Sequence, residues 1–206
     1  MTITLTRLYD DYPTAKKAMH ELEAAGIRAS EISIVASNAD NWYSANKSID
    51  RDHARVDDRT EGAATGATIG AATGGVAGLL AGLGLLAIPG LGPVVAVGWL
   101  ASTAAVAAAG GVAGGIIGAL TEAGVSEEDA HVYAEGVRRG GTLLTVRVSE
   151  VDRARIESIL DRSAVNIWDR GMAYRTSGWK SFDPAAPSYS ADQVRKEREL
   201  YRKNAA

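Results

Sequence analysis

The sequence predicts an α+β chain. The expected core is a ferredoxin-like, four-stranded antiparallel sheet with helices on one face. A long Gly/Ala-rich helical hairpin interrupts it, and an extended C-terminal tail follows. Three observations carry this reading. Residues 2–36 and 142–168 each read as strand, helix, strand. Between them, Gly62 to Thr121 are 60 consecutive residues without Asp, Glu, Lys, Arg or His. Beyond residue 170 the chain turns aromatic and Pro-punctuated, then highly charged. The 206 residues divide accordingly: 1–37 and 122–170 as the two halves of the sheet domain, 38–61 as a charged linker, 62–121 as the hairpin, and 171–206 as a strap and terminal helix.

Residues 2–9 form the first predicted strand, with Ile3 and Leu5 facing opposite Thr2, Thr4 and Thr6. Asp11 caps the next helix and Pro13 suits its first turn. Ala15, Ala18, Met19, Leu22 and Ala25 give it a buried stripe, and Gly26 stops it. Ile32, Ile34 and Val35 mark the second strand. The polar stretch from Asn38 to Glu61 reads as a loop and solvated approach to the hairpin.

Within the uncharged stretch, Gly62, Gly66, Gly70, Gly74, Gly78 and Gly82 recur at every fourth position. On an α-helix that spacing makes one slowly drifting stripe, which lets a second backbone approach closely. Gly110, Gly114 and Gly118 continue the pattern in a second arm, after Gly98 and Ser102. The expected arms are residues 63–88 and 94–120, joined by Pro89-Gly90-Leu91-Gly92-Pro93. Each would be about 39–40 Å long as a helix, enough to cross the ~30 Å apolar core of a bilayer with tilt. The glycines are the candidate helix-packing and self-association residues. The apolar bulk lies nearest the turn, from Leu79 to Leu100. The implied partners are membrane lipid and further copies of the chain.

After the hairpin, Ser126-Glu-Glu-Asp129 starts a helix whose stripe is Ala130, Tyr133, Ala134 and Val137. Gly140-Gly141 ends it. Leu144, Val146 and Val148 alternate as the third strand. Ile156, Ile159 and Leu160 give a helix core face, and Val165 and Ile167 mark a short fourth strand. The tail reads as an extended strap over the protein's own sheet, with a docking arm for a neighbouring subunit as its rival. A charged helix begins at Ser190.

Ile88-Pro-Gly-Leu-Gly-Pro93, Gly124-Val-Ser-Glu-Glu-Asp-Ala130 with Tyr133, and Arg139-Gly-Gly-Thr-Leu-Leu-Thr-Val146 resemble the bacterial general stress, heat-induced YflT-like family. The resemblance covers roughly residues 3–170. It implies a stress association with a Gly-zipper membrane element, brings no known enzymatic activity, and carries over no catalytic residues.

Composition narrows the chemistry. Net charge is −3, from 22 basic and 25 acidic residues, so there is no basic excess to suggest nucleic acid. No cysteine is present, which excludes disulfides and thiolate catalysis. His20, His53 and His131 have no metal-ligand partner at helical spacing. Gly82-Leu-Gly84 and Gly90-Leu-Gly92 lack the third glycine and the Lys-Ser/Thr of phosphate loops. The expectation is therefore no catalytic, cofactor or metal site and no small-molecule substrate. The N-terminus carries no signal-peptide pattern, so the expected location is the cytoplasmic face of a membrane or a cytoplasmic assembly. The leading reading is a non-enzymatic stress protein. Its rivals are a soluble homo-oligomer whose hairpins bury one another, a ligand-binding domain using an exposed sheet face, and an enzyme.

Overall fold

Residues 1–43, 84–88, 91–100 and 115–204 are described by the computed structural model of the chain. Strand β1 (Thr2–Tyr9) is followed by α1 (Tyr12–Ala24) and β2 (Ile32–Ser37). Asp11 caps α1 as expected, accepting from the Thr14 N–H at 2.9 Å. Strands β3 (Gly84–Ile88) and β4 (Gly92–Val97) come next, then helices α2 (Gly115–Glu122) and α3 (Glu127–Arg138). Strand β5 (Thr142–Ser149), α4 (Arg153–Leu160), α5 (Ile167–Thr176) and α6 (Ala191–Asn204) complete the order. The α+β class and the antiparallel sheet are as the sequence predicts. Among the described residues the sheet has five strands in the order β1-β5-β2-β4-β3, with every neighbouring pair antiparallel.

The region around the turn of the expected helical hairpin is β-structure. Residues 84–88 and 92–97 pair with each other, and β4 pairs with β2, so this β-hairpin extends the sheet. The physical reason lies in residue type. Val94, Val95 and Val97 are β-branched and favour the pleated conformation. Gly98 sits at φ +91°, where a Cβ would lie 2.5 Å from the Ile32 carbonyl oxygen. It ends β4 tightly against β2 and does not belong to a helical stripe. Val94, Val95, Val97 and Leu100 are all buried, so apolar bulk expected in a membrane lies in the protein core. The segment Gly115–Glu122 is helical, as expected for the end of the second arm.

Both faces of the sheet are covered, not one. On the first face, Leu5, Tyr9, Leu144 and Val146 pack with Met19 and Leu22 of α1 and Ile156 and Leu160 of α4. On the second, Leu8, Val35, Val94 and Leu143 pack with Ile116 and Leu120 of α2 and Tyr133 and Val137 of α3. The expected fourth strand at Val165 and Ile167 is also absent. Asn166 accepts from the Trp168 and Asp169 N–H groups and starts α5 there. The Val165 N–H still reaches the β1 edge, donating to the Leu8 carbonyl at 2.8 Å.

The tail does lie over its own domain, but it is less extended than expected, because α5 includes residues 171–176. Phe182 enters the second core, and its N–H donates to His131 Nδ1 at 3.2 Å. Helix α6 begins after Ser190, whose hydroxyl accepts from the Gln193 N–H.

Candidate functional site

The predicted packing glycines fall mostly outside the described residues: Gly62, Gly66, Gly70, Gly74, Gly78, Gly82, Gly110 and Gly114 all lie there. Gly118 is described. Helix α2 turns Ile116, Ala119 and Leu120 inward, while Gly118 is exposed. A Cβ at Gly118 would meet no atom within 4 Å. Its missing side chain therefore serves no contact in the described fold. The close helix approach within the domain falls instead at Gly136 of α3, where a Cβ would lie 2.5 Å from Leu8 Cδ2.

A charged cluster that the sequence reading did not pick out lies at the C-terminal end of α3, beneath the tail. Glu135 is fully buried, with its Oε1 accepting from Arg138 Nη2 at 2.8 Å and from Arg139 Nε at 2.7 Å. Helical geometry places them: Arg138 and Arg139 follow Glu135 by three and four residues. Arg139 continues to Glu197 of α6 at 3.4 Å and stacks 4.2 Å from the Tyr174 ring centroid. Arg198 of α6 donates to the Gly140 carbonyl at 2.8 Å and pairs with Asp40 at 2.7 Å. Arg170 of α5 pairs with Asp10 at 2.7 Å and lies 3.5 Å from the Tyr201 ring centroid. Tyr201 donates to Glu197 at 2.7 Å. Val194 is the apolar centre of this docking, fully buried against Gly140. The signal in the sequence was Glu135 on the buried side of an otherwise apolar stripe, with two arginines one turn later.

Burial opposes the charge of Arg139, but its hydrogen bond to Glu135 and that carboxylate's field outweigh burial and raise its pKa. Burial raises the pKa of Tyr174 and of Tyr201. At neutral pH Tyr174 and Tyr201 are protonated and Arg139 is charged. The cluster holds α6 against the end of α3.

A cleft of about 360 Å³ opens at the outer edge of β1, lined by Arg7, Tyr133, Asp161 and residues 164–167. Its polar groups are engaged with the protein: Arg7 Nε donates to Asp161 at 2.5 Å, and the Tyr133 hydroxyl donates to the Thr6 carbonyl at 2.9 Å. Trp42 stacks on Tyr12 at 4.5 Å, and Trp179 meets Tyr174 edge-on at 5.7 Å. Trp168 is 67 % exposed. Among the described residues, no group of three or more His, Cys, Asp or Glu side chains could hold a metal ion, and no helix is long and apolar enough to cross a membrane. Comparison with protein-family models, curated proteins and solved structures finds no match to this chain.

Proposed function

We propose that this is a non-enzymatic structural protein that self-associates through its Gly/Ala-rich segments, with the sheet domain as their folded base. The observation that carries the reading is Gly118. A glycine inside a helix costs about 0.5–1 kcal/mol relative to alanine. At Gly118 neither a positive φ nor a contact in the described fold requires it. Close packing against another helix, in a second copy of the chain, gives it a purpose. The charge-free run with four-residue glycine spacing supplies the rest of the surface. The stress association rests on the YflT-like resemblance. The sheet reads as a ferredoxin-like variant in which the β3–β4 hairpin occupies one edge and the Val165 crossing stands in for the fourth strand.

Membrane association is the second reading, favoured by residues 62–83. These 22 residues carry no charge. As a helix they would be roughly 33 Å long, matching a bilayer core of ~30 Å. The burial of Val94, Val95, Val97 and Leu100 in the domain core favours assembly between copies over a hairpin that spans to its turn. On either reading the proposed location is cytoplasmic, free or at the membrane face.

Sedimentation of the full chain, alone and with Gly118→Leu, tests the proposal. Wild type should form a concentration-dependent oligomer, and the variant should shift toward smaller species while keeping its fold. A monomeric wild type, or an unaltered oligomer in the variant, would overturn it. Flotation with liposomes separates the readings: co-flotation supports membrane association, and assembly without it supports packing between copies.

A further inference from the structure

The second face of the sheet changes character along its strands. Side chains alternate between faces, so Thr4, Thr6 and Leu8 of β1 share one face. Thr145, Arg147 and Leu143 of β5 and Ser33 and Val35 of β2 lie on that face too, by register. Leu8, Leu143 and Val35 belong to the apolar core under α3. The other half is polar. Thr6 and Thr145 are buried and lie within hydrogen-bond distance of each other, at 3.4 Å. Ser33 donates to the Val97 carbonyl at 2.8 Å. Thr4 stands directly opposite Arg147 and is partly exposed.

Arg147 is unusual. Every other arginine whose side chain is described makes an ion pair with a carboxylate. Arg147 makes none among the described residues. Its guanidinium lies 4.0 Å from the Trp99 ring centroid, and its buried Nε has no hydrogen-bond partner. The residue as a whole is only half-buried. Stacking on Trp99 fixes the guanidinium plane, which lowers the entropy lost when a ligand binds. An oriented, partly desolvated guanidinium with no counter-charge among the described residues is matched by the paired oxygens of a carboxylate or phosphate. Thr4, directly opposite Arg147 by register, offers a hydroxyl as a further donor.

We propose that this polar half-face, centred on Arg147 with Thr4 and Trp99, binds the oxyanion group of a small ligand, a carboxylate or a phosphate. The site is independent of self-association and lies on the face opposite α1 and α4.

The test is NMR titration of the ¹⁵N-labelled full chain, following the Arg147 Nε–H and the Thr4 amide. Inorganic phosphate and acetate are the probes, with sodium chloride at matched ionic strength as control. A saturable shift of both resonances with phosphate or acetate, absent with chloride, is the expected result. The stronger probe identifies the oxyanion class. Thr4→Val should weaken the affinity by roughly three- to tenfold, the loss expected for one hydrogen bond. Arg147→Gln should abolish the shift at Thr4. Shifts that rise linearly, that chloride reproduces, or that persist in folded Arg147→Gln overturn the proposal. If Arg147→Gln fails to fold, unchanged affinity in Thr4→Val overturns it instead.

Discussion

The two faces of the sheet are held by different physics. On the first, α1 and α4 cover apolar side chains, and the ion pairs lie around the rim, as in Arg162 with Glu21. On the second, α2 and α3 cover an apolar core, but α3 is itself buried under the tail and carries the buried Glu135 with two arginines. An apolar face tolerates imperfect geometry, because burial is non-directional. A buried charge does not, since losing one partner leaves the other uncompensated. The second face is therefore the more easily broken by a single polar change, and its outer layer depends on residues far apart in sequence.

The largest expected effect tests that contrast. Glu135→Ala should cost about 3–5 kcal/mol, because it takes from Arg138 its carboxylate and leaves Arg139 only the more distant Glu197. Urea unfolding measures it, and a cost under about 1 kcal/mol would mean that water already compensates the pair. On the apolar face, Leu22→Ala should cost about 2–5 kcal/mol by transfer and cavity terms. It should leave the tail docked, as read by hydrogen exchange in α6, whereas Glu135→Ala should speed exchange there.

Gly140→Ala sharpens the comparison at the tail itself. Gly140 has φ +103°, and a Cβ there would lie 2.3 Å from Val194 Cγ1. Strain and clash together should cost about 1–3 kcal/mol. Val194→Ala in the same chain should recover only the clash. Limited proteolysis between residues 177 and 190 reads the release of α6, and an unchanged cleavage pattern would contradict the docking role of Val194.

The smallest effect is a pH dependence drawn from both faces. Burial pushes Tyr133 on the second face up to about 12, from an unfolded value of 10.0, and it also raises Tyr9 on the first. Above pH 10 the unfolded chain loses these protons while the folded chain keeps them. Stability should therefore be full below pH 10 and fall as pH rises toward about 12. Tyr133→Phe should flatten part of that fall in alkaline urea titrations; an unchanged slope would mean that Tyr133 ionises freely in the fold.

Local pattern made much of this legible. The alternation in β1, the Asp11 cap, the stripe of α1, the Ser126 start of α3 and the alternation in β5 all lie where the sequence places them. The β3–β4 hairpin was not legible. Val94, Val95, Ala96 and Val97 form an unbroken apolar run that is buried throughout. Periodicity cannot separate a doubly buried strand from a buried helix. The four-residue glycine spacing upstream favours helix across the whole uncharged stretch. The Glu135 cluster was half legible, as a spacing without a known degree of burial.

By itself, the sequence determined the α+β class, the elements that local caps and periodicity delimit, and the placing of an uncharged Gly/Ala-rich insert inside the domain. Tertiary structure decided which strand edge the residues flanking the insert's turn extend, that α2 and α3 cover the apolar half of the second face, and that the tail seals Glu135 beneath it. These outcomes depend on pairings between residues such as Arg198 and Asp40, or Arg139 and Glu197, far apart in the chain. Local propensity acts over a few neighbours. Burial of a charge or a choice of strand partner is fixed only when distant segments meet.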